Sequence, residues 1–106
     1  MAASIHKRAA AARDLVENYV YLAETAGIDT AERFLLGSEK SFNDLSQYPE
    51  MGSPISMRSP KLAGLRKWPV SGFENILIFY LPRGTGISIV RVLRAAQDWW
   101  ALFGML

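Results

Sequence analysis

Seven cations carry the chemical interest of this sequence: Arg58, Lys61, Arg66, Lys67, Arg83, Arg91 and Arg94. From residue 51 onward only Glu74 and Asp98 oppose them. Guanidinium and ammonium groups at this density hold phosphates or acidic protein surfaces. The arginines among them do not serve as bases, because Arg stays protonated. Metal-free cleavage of a phosphodiester needs a base near the 2′-hydroxyl, cations around the phosphate and a donor for the leaving oxygen. The single histidine, His6, lies far along the chain from the cations. Tyr80 is the one hydroxyl among the flanking strands with acid potential, and a core role suits it better. Gly84-Thr85-Gly86 reads as a hairpin turn, since a phosphate loop needs a following helix and Lys. One His and scattered acids cannot build a zinc site, and no Ser-His-Asp grouping sits at a strand-to-helix turn. No catalytic residue, metal site or cofactor is assigned, and the expected activity is binding.

Composition narrows the frame around these residues. A chain of 106 residues is expected to form one domain, 1–106, with a thin core. Half of it is apolar, which argues against disorder. The absence of cysteine removes disulfides and thiolate metal sites and fits a reducing compartment. No apolar run approaches the ~20 residues that cross a bilayer. Ala9–Ala12 is too short and weak for a signal peptide before Arg13 and Asp14. A cytoplasmic protein without a membrane partner is expected. The net charge of +2 hides a split: residues 1–50 hold five Lys/Arg against eight Asp/Glu, and residues 51–106 hold seven against two. One surface should therefore attract an anionic partner.

The cations punctuate an expected antiparallel meander from Leu65 to Leu93. Runs rich in Val, Ile, Phe, Tyr and Trp are separated there by Ser71-Gly72 and by Pro82 to Gly86. Ile76 to Tyr80 is apolar on both faces, which predicts a central strand covered on both sides. Ser4 to Arg8 is a candidate short first strand. From about Ala10, the residues Ala12, Leu15, Val16, Tyr19, Leu22, Ala23 and Ala26 form one helical stripe, with Arg13, Asp14, Glu17 and Glu24 largely outside it. Gly27 ends that helix. Asp29 and Glu32 then form an expected capping pair. A second helix follows, with Ala31, Phe34, Leu35, Ser38, Phe42 and Leu45 on one face, stopped at Tyr48-Pro49. The two helices make an antiparallel hairpin that must lie against the sheet. Ser53 to Pro60 reads as a loop. The tail around Trp99-Trp100 is expected either to cover the second face of the sheet, where two indoles bury about 300 Å² or more, or to form an exposed docking patch.

Strict alternation along the third run places Ile87, Ile89, Arg91 and Leu93 on one face and Ser88, Val90, Val92 and Arg94 on the other. An Arg among apolar neighbours must find a carboxylate, carbonyls or a bound anion. Two readings are equally open for Arg91: an ion pair with Asp98, Glu50 or another carboxylate of the helical hairpin, or an anion site.

Taken together, the helical hairpin, Tyr48-Pro49-Glu50-Met51-Gly52, Leu65 to Val70, Leu77 to Tyr80, and Ile89 to Leu93 followed by Ala95-Ala96 and Asp98 resemble the ParE branch of the RelE/ParE toxin superfamily, over roughly Lys7 to Phe103. The resemblance implies an α+β fold of order β-α-α-β-β-β, with the N-terminal hairpin packed on a small antiparallel sheet. It also implies the toxin of a type II toxin–antitoxin (plasmid stabilisation) system, neutralised by a cognate ParD-like antitoxin whose C-terminal segment wraps it. ParE-type members poison DNA gyrase, whereas RelE-type members cut messenger RNA on the ribosome with His or Tyr beside the last strand and in the tail. Here the tail has neither. Arg94 stands where relatives have His, and Gln97 where they have Arg, so a detoxified member that only binds antitoxin is the further alternative. Gyrase or another acidic surface is expected to meet Arg58, Lys61, Arg66, Lys67, Arg83, Arg91 and Arg94. The antitoxin is expected to meet Leu15, Tyr19, Leu22, Phe34, Trp68, Tyr80, Trp99 and Trp100. Homodimers or toxin–antitoxin hetero-oligomers accompany such folds.

Overall fold

Helical periodicity and Gly27 together set the N-terminal half of the computed structural model, which describes residues 4–97 and 101. After β1 (Ile5–Lys7), helix α1 (Ala9–Ala26) and helix α2 (Ile28–Gln47) are joined by Gly27 alone. Gly27 has φ 97°, a left-handed value that favours glycine. It serves as the C-cap of one helix and the N-cap of the next. The expected Asp29–Glu32 cap is therefore absent. Asp29 lies inside the first turn of α2, where its charge still complements the helix dipole. Tyr48 ends α2, its N–H donating to the Asp44 carbonyl.

Short β2 (Ser53–Pro54) and a 3₁₀ turn (Pro60–Leu62) precede β3 (Arg66–Val70), β4 (Phe73–Arg83) and β5 (Gly86–Arg94). The five strands form one sheet in the order β1-β5-β4-β3-β2. The β3-β4-β5 meander is antiparallel as expected. The sheet as a whole is mixed, because β1 runs parallel to β5 with Ile5 opposite Ile87. The intervening helices and strands supply the long connection that a parallel pair needs.

Strand β4 is central and buried on both faces. On the helix side, Ile76, Ile78 and Tyr80 pack with Phe34, Phe42, Leu45 and Ala11. On the other side, Phe79 and Leu81 pack with Leu62, Leu65, Val90 and Leu93, and with Ile55 and Met57 of the loop before β3. Among the described residues, that loop is the second cover. The expectation that Trp99-Trp100 supplies it lies outside the described residues. A bulge breaks the expected alternation of β5: Phe79 faces Arg91 while Tyr80 faces Ile89, so Val90 has no counterpart. Ile87, Ile89 and Val92 consequently share the helix-side core, while Val90 and Leu93 serve the other.

Candidate functional site

Helix α1 is the element that positions two of the seven cations. Its buried residues are Ala11, Asp14 and Asn18, not the purely apolar stripe expected; Ala12, Val16 and Ala26 are exposed. Strand β1 covers β5 only as far as Ile89. Beyond it, Asp14 and Asn18, one turn apart, complete the open edge. The Asp14 carboxylate accepts the Val92 N–H at 2.9 Å, and the Asn18 side chain donates to the Val92 carbonyl at 3.0 Å. Two side chains thus substitute for the backbone of a missing strand.

The same two residues settle Arg91 and Arg94. Arg91 donates to both Asp14 oxygens, at 2.7 and 2.8 Å, a bidentate pair with little exposure on either side chain. Its pKa is raised by the Asp14 hydrogen bonds, against burial, which lowers it. Arg91 is therefore compensated by a hairpin carboxylate, one of its two open readings, and not by an external anion. Arg94 donates to the Asn18 side-chain oxygen at 2.9 Å, and its guanidinium lies 4.2 Å from the Tyr21 ring centroid. The Arg94 N–H is closed by the Gln97 side chain at 2.7 Å. Arg94 has no carboxylate partner among the described residues.

Arg66 is held by backbone. It donates to the Glu50 carbonyl at 3.0 Å and the Gly52 carbonyl at 2.6 Å. Tyr80 secures the same loop: its hydroxyl donates to the Pro49 carbonyl at 2.7 Å and accepts the Gly52 N–H at 2.8 Å. Burial raises the Tyr80 pKa, with the Gly52 N–H and Arg66 opposing. Lys67 is half-buried beside Arg66 on β3. Arg58, Lys61 and Arg83 are exposed, the first two on the loop over the second core and Arg83 at the β4–β5 turn.

The cations do not form one patch. Arg83 faces Gly86 at one end of the β4–β5 pair, and Arg94 faces Ile76 near the other. Seven residues of β4 separate those rungs, about 23 Å at the usual strand rise of ~3.3 Å. Arg94 instead opens on a cleft of about 990 Å³ between α1 and the β3–β4 turn, lined also by Tyr21, Phe73, Glu74 and Asn75.

The residues expected at a partner surface separate as clearly. Leu15, Tyr19 and Leu22 are half-buried along α1, and Trp68 is half-buried on β3. Phe34 and Tyr80 are 0% exposed, so they lie beneath any surface a partner could touch. Trp99 and Trp100 lie outside the described residues. Asp14, Asn18 and Tyr21 were not singled out by sequence. Their signal was a polar pair at i, i+4 interleaved with Ala11, Leu15 and Leu22. His6 is exposed on β1. No cluster of metal-ligating residues occurs, and no helix is long and apolar enough to cross a membrane, among the described residues.

Two helices laid on a five-stranded mixed sheet define a small α+β domain. The family model for the ParE toxin of type II toxin–antitoxin systems, parDE, matches residues 5–99, and the chain belongs to that family. A chain from a chromosomal ParDE system of P. aeruginosa shares the fold, with a TM-score of 0.69 at 20% identity, over 88% of this chain and 96% of that one. No curated protein matches the sequence.

Proposed function

We propose that this toxin arrests replication in the cytoplasm by binding DNA gyrase, and that a cognate ParD-like antitoxin neutralises it. The target surface is the cationic end of the sheet with its loop: Arg58, Lys61, Arg66, Lys67 and Arg83. The antitoxin surface is the uncovered margin of the core along α1, where Leu15, Tyr19 and Leu22 are half-buried, with half-buried Trp68 on β3. One observation favours binding over RNA cleavage. His6 stands on the edge strand β1, three strands away from Arg66 and Lys67 on β3. Three strand spacings of ~4.8 Å put about 14 Å between those strands, too far for a base to serve a phosphate held there. Tyr80, the other proton donor near the cations, is tied to Pro49 and Gly52.

The deciding measurement is supercoiling by purified gyrase with and without the protein at micromolar concentration. Inhibition relieved by the antitoxin is expected. No inhibition, with cleavage of ribosome-bound message, would establish the RelE-like endonuclease. Neither activity, together with unaffected growth on regulated expression, would establish the detoxified reading that Arg94 and Gln97 motivate.

A further inference from the structure

We infer that Arg94, held by Asn18 and Tyr21, is the recognition side chain of a separate acceptor site that takes a carboxylate of the antitoxin. The inference rests on the reading that this chain binds an antitoxin along α1, and it moves Arg94 from the target surface to the antitoxin surface. Three features carry it.

First, the guanidinium is pre-oriented. One nitrogen is fixed on Asn18 at 2.9 Å, and one face lies 4.2 Å from the Tyr21 ring. Asn18 is itself locked, since its amide nitrogen donates to the Asp14 and Val92 carbonyls. An Arg held this way loses little side-chain freedom on binding, and its planar fork suits a carboxylate.

Second, the charge has no acid partner among the described residues. Among the described residues Arg91 has its acid in Asp14, whereas Arg94 has only a neutral amide and a ring. Arg94 is half-buried at the wall of the 990 Å³ cleft. An acid entering there meets a cation already partly removed from water, where a charge-assisted bond is strong.

Third, the surroundings select the partner class. Glu74 lines the same cleft with Phe73, Ala95 and Ala96. A nucleic-acid backbone would bring successive phosphates against Glu74. A peptide can offer one carboxylate to Arg94 and place neutral or apolar side chains on Tyr21 and Phe73. The cleft borders Leu22 on α1 and lies at the far end of the sheet from Arg83, which separates it from the target surface.

The test is antitoxin affinity, measured by titration calorimetry with the full-length toxin and its antitoxin. Arg94→Gln should weaken binding about ten- to hundredfold. Tyr21→Leu, which leaves the Asn18 bond in place, should weaken it several-fold, and Tyr21→Phe should restore it. Each antitoxin Asp or Glu is then changed to Asn or Gln. One should couple to Arg94→Gln, the double variant binding at least fivefold tighter than the two single losses multiply to. Affinity within twofold of wild type for Arg94→Gln and Tyr21→Leu overturns the inference, as does a loss that couples to no antitoxin carboxylate. If the wild-type toxin binds no antitoxin, the underlying reading falls as well. If it binds and only the variants fail to differ, this inference falls alone.

Discussion

Asp14 and Arg91 meet across 77 residues of sequence, both carboxylate oxygens accepting from the guanidinium at 2.7 and 2.8 Å. One of those oxygens also accepts the Val92 N–H, so a single side chain closes a charge and a sheet edge together. Removing one partner of such a pair costs more than the pair itself contributes, because the other charge is left buried and alone. Asp14→Ala strands both the Arg91 guanidinium and the Val92 N–H. A loss of about 3–5 kcal/mol is expected, read as a lower urea midpoint with an unchanged slope. Replacing both partners, Asp14→Leu with Arg91→Met, should recover much of the loss. If Asp14→Ala unfolds at the wild-type midpoint, α1 does not depend on this contact.

Tyr80 gives the fold an alkaline limit. Burial raises its pKa above 10.0, the ordinary tyrosine value, outweighing the opposing Gly52 N–H and Arg66. A group whose pKa is higher folded than unfolded holds its proton more tightly in the native state. Its contribution is complete below about pH 10 and is lost as pH rises through the folded value. Tyr80→Phe should flatten that part of the decline above about pH 10, followed by urea midpoints. At neutral pH the same change should cost about 1–3 kcal/mol, since it leaves the Gly52 N–H and the Pro49 carbonyl without their partner. An alkaline profile identical to wild type would exclude Tyr80 as its source.

Helix α2 and the central strand were legible because their signals are local. Phe34, Phe42 and Leu45 recur at helical spacing, and Ile76 to Tyr80 is apolar without interruption. The role of α1 was not legible in the same way. Asp14 reads as surface from its neighbours, yet its partner Val92 is 78 residues away, and Asn18 answers the same residue from 74. The bulge at Val90 was hidden for a related reason. Period-two alternation assumes an unbroken register, and one unpaired residue turns Val92 onto the face predicted for Arg91. The Asp29 cap failed because Gly27 already reverses the chain in one residue. As for the candidate site, the sequence located the cations but not their division, which depends on strand order.

Gly37 should invert the usual glycine rule. An exposed helical Gly→Ala change normally stabilises by up to about 1 kcal/mol. In α2, however, a Cβ on Gly37 would collide with the Ser71 backbone oxygen of the β3–β4 turn. That turn is fixed on the helix, the Ser71 N–H donating to the Ser41 hydroxyl at 2.9 Å. Backbone cannot swing aside as a flexible side chain can. Gly37→Ala is expected to destabilise by about 1–3 kcal/mol, and Ser41→Ala to cost less, about 1 kcal/mol. Thermal unfolding of the two variants checks the order, and a stabilised Gly37→Ala would mean that the turn yields.

Arg58 and Lys61 offer the cleanest separation of function from stability. Both are exposed and have no side-chain partner among the described residues. Their loop is anchored by others: Leu62 is 3% exposed and Leu65 is 0% exposed in the second core. Reversing both charges, Arg58→Glu with Lys61→Glu, should leave stability within about 0.5 kcal/mol. If this loop meets an acidic gyrase surface, the double variant should inhibit supercoiling at least about tenfold less well, and wild-type inhibition should weaken as salt rises from 0.05 to about 0.2 M, where the Debye length shortens below ~10 Å. The antitoxin affinity of the double variant should change far less than that of Arg94→Gln, because the loop and the Arg94 cleft occupy different parts of the fold. Full inhibition by the double variant would remove the loop from the target surface and leave Arg66, Lys67 and Arg83 to carry it.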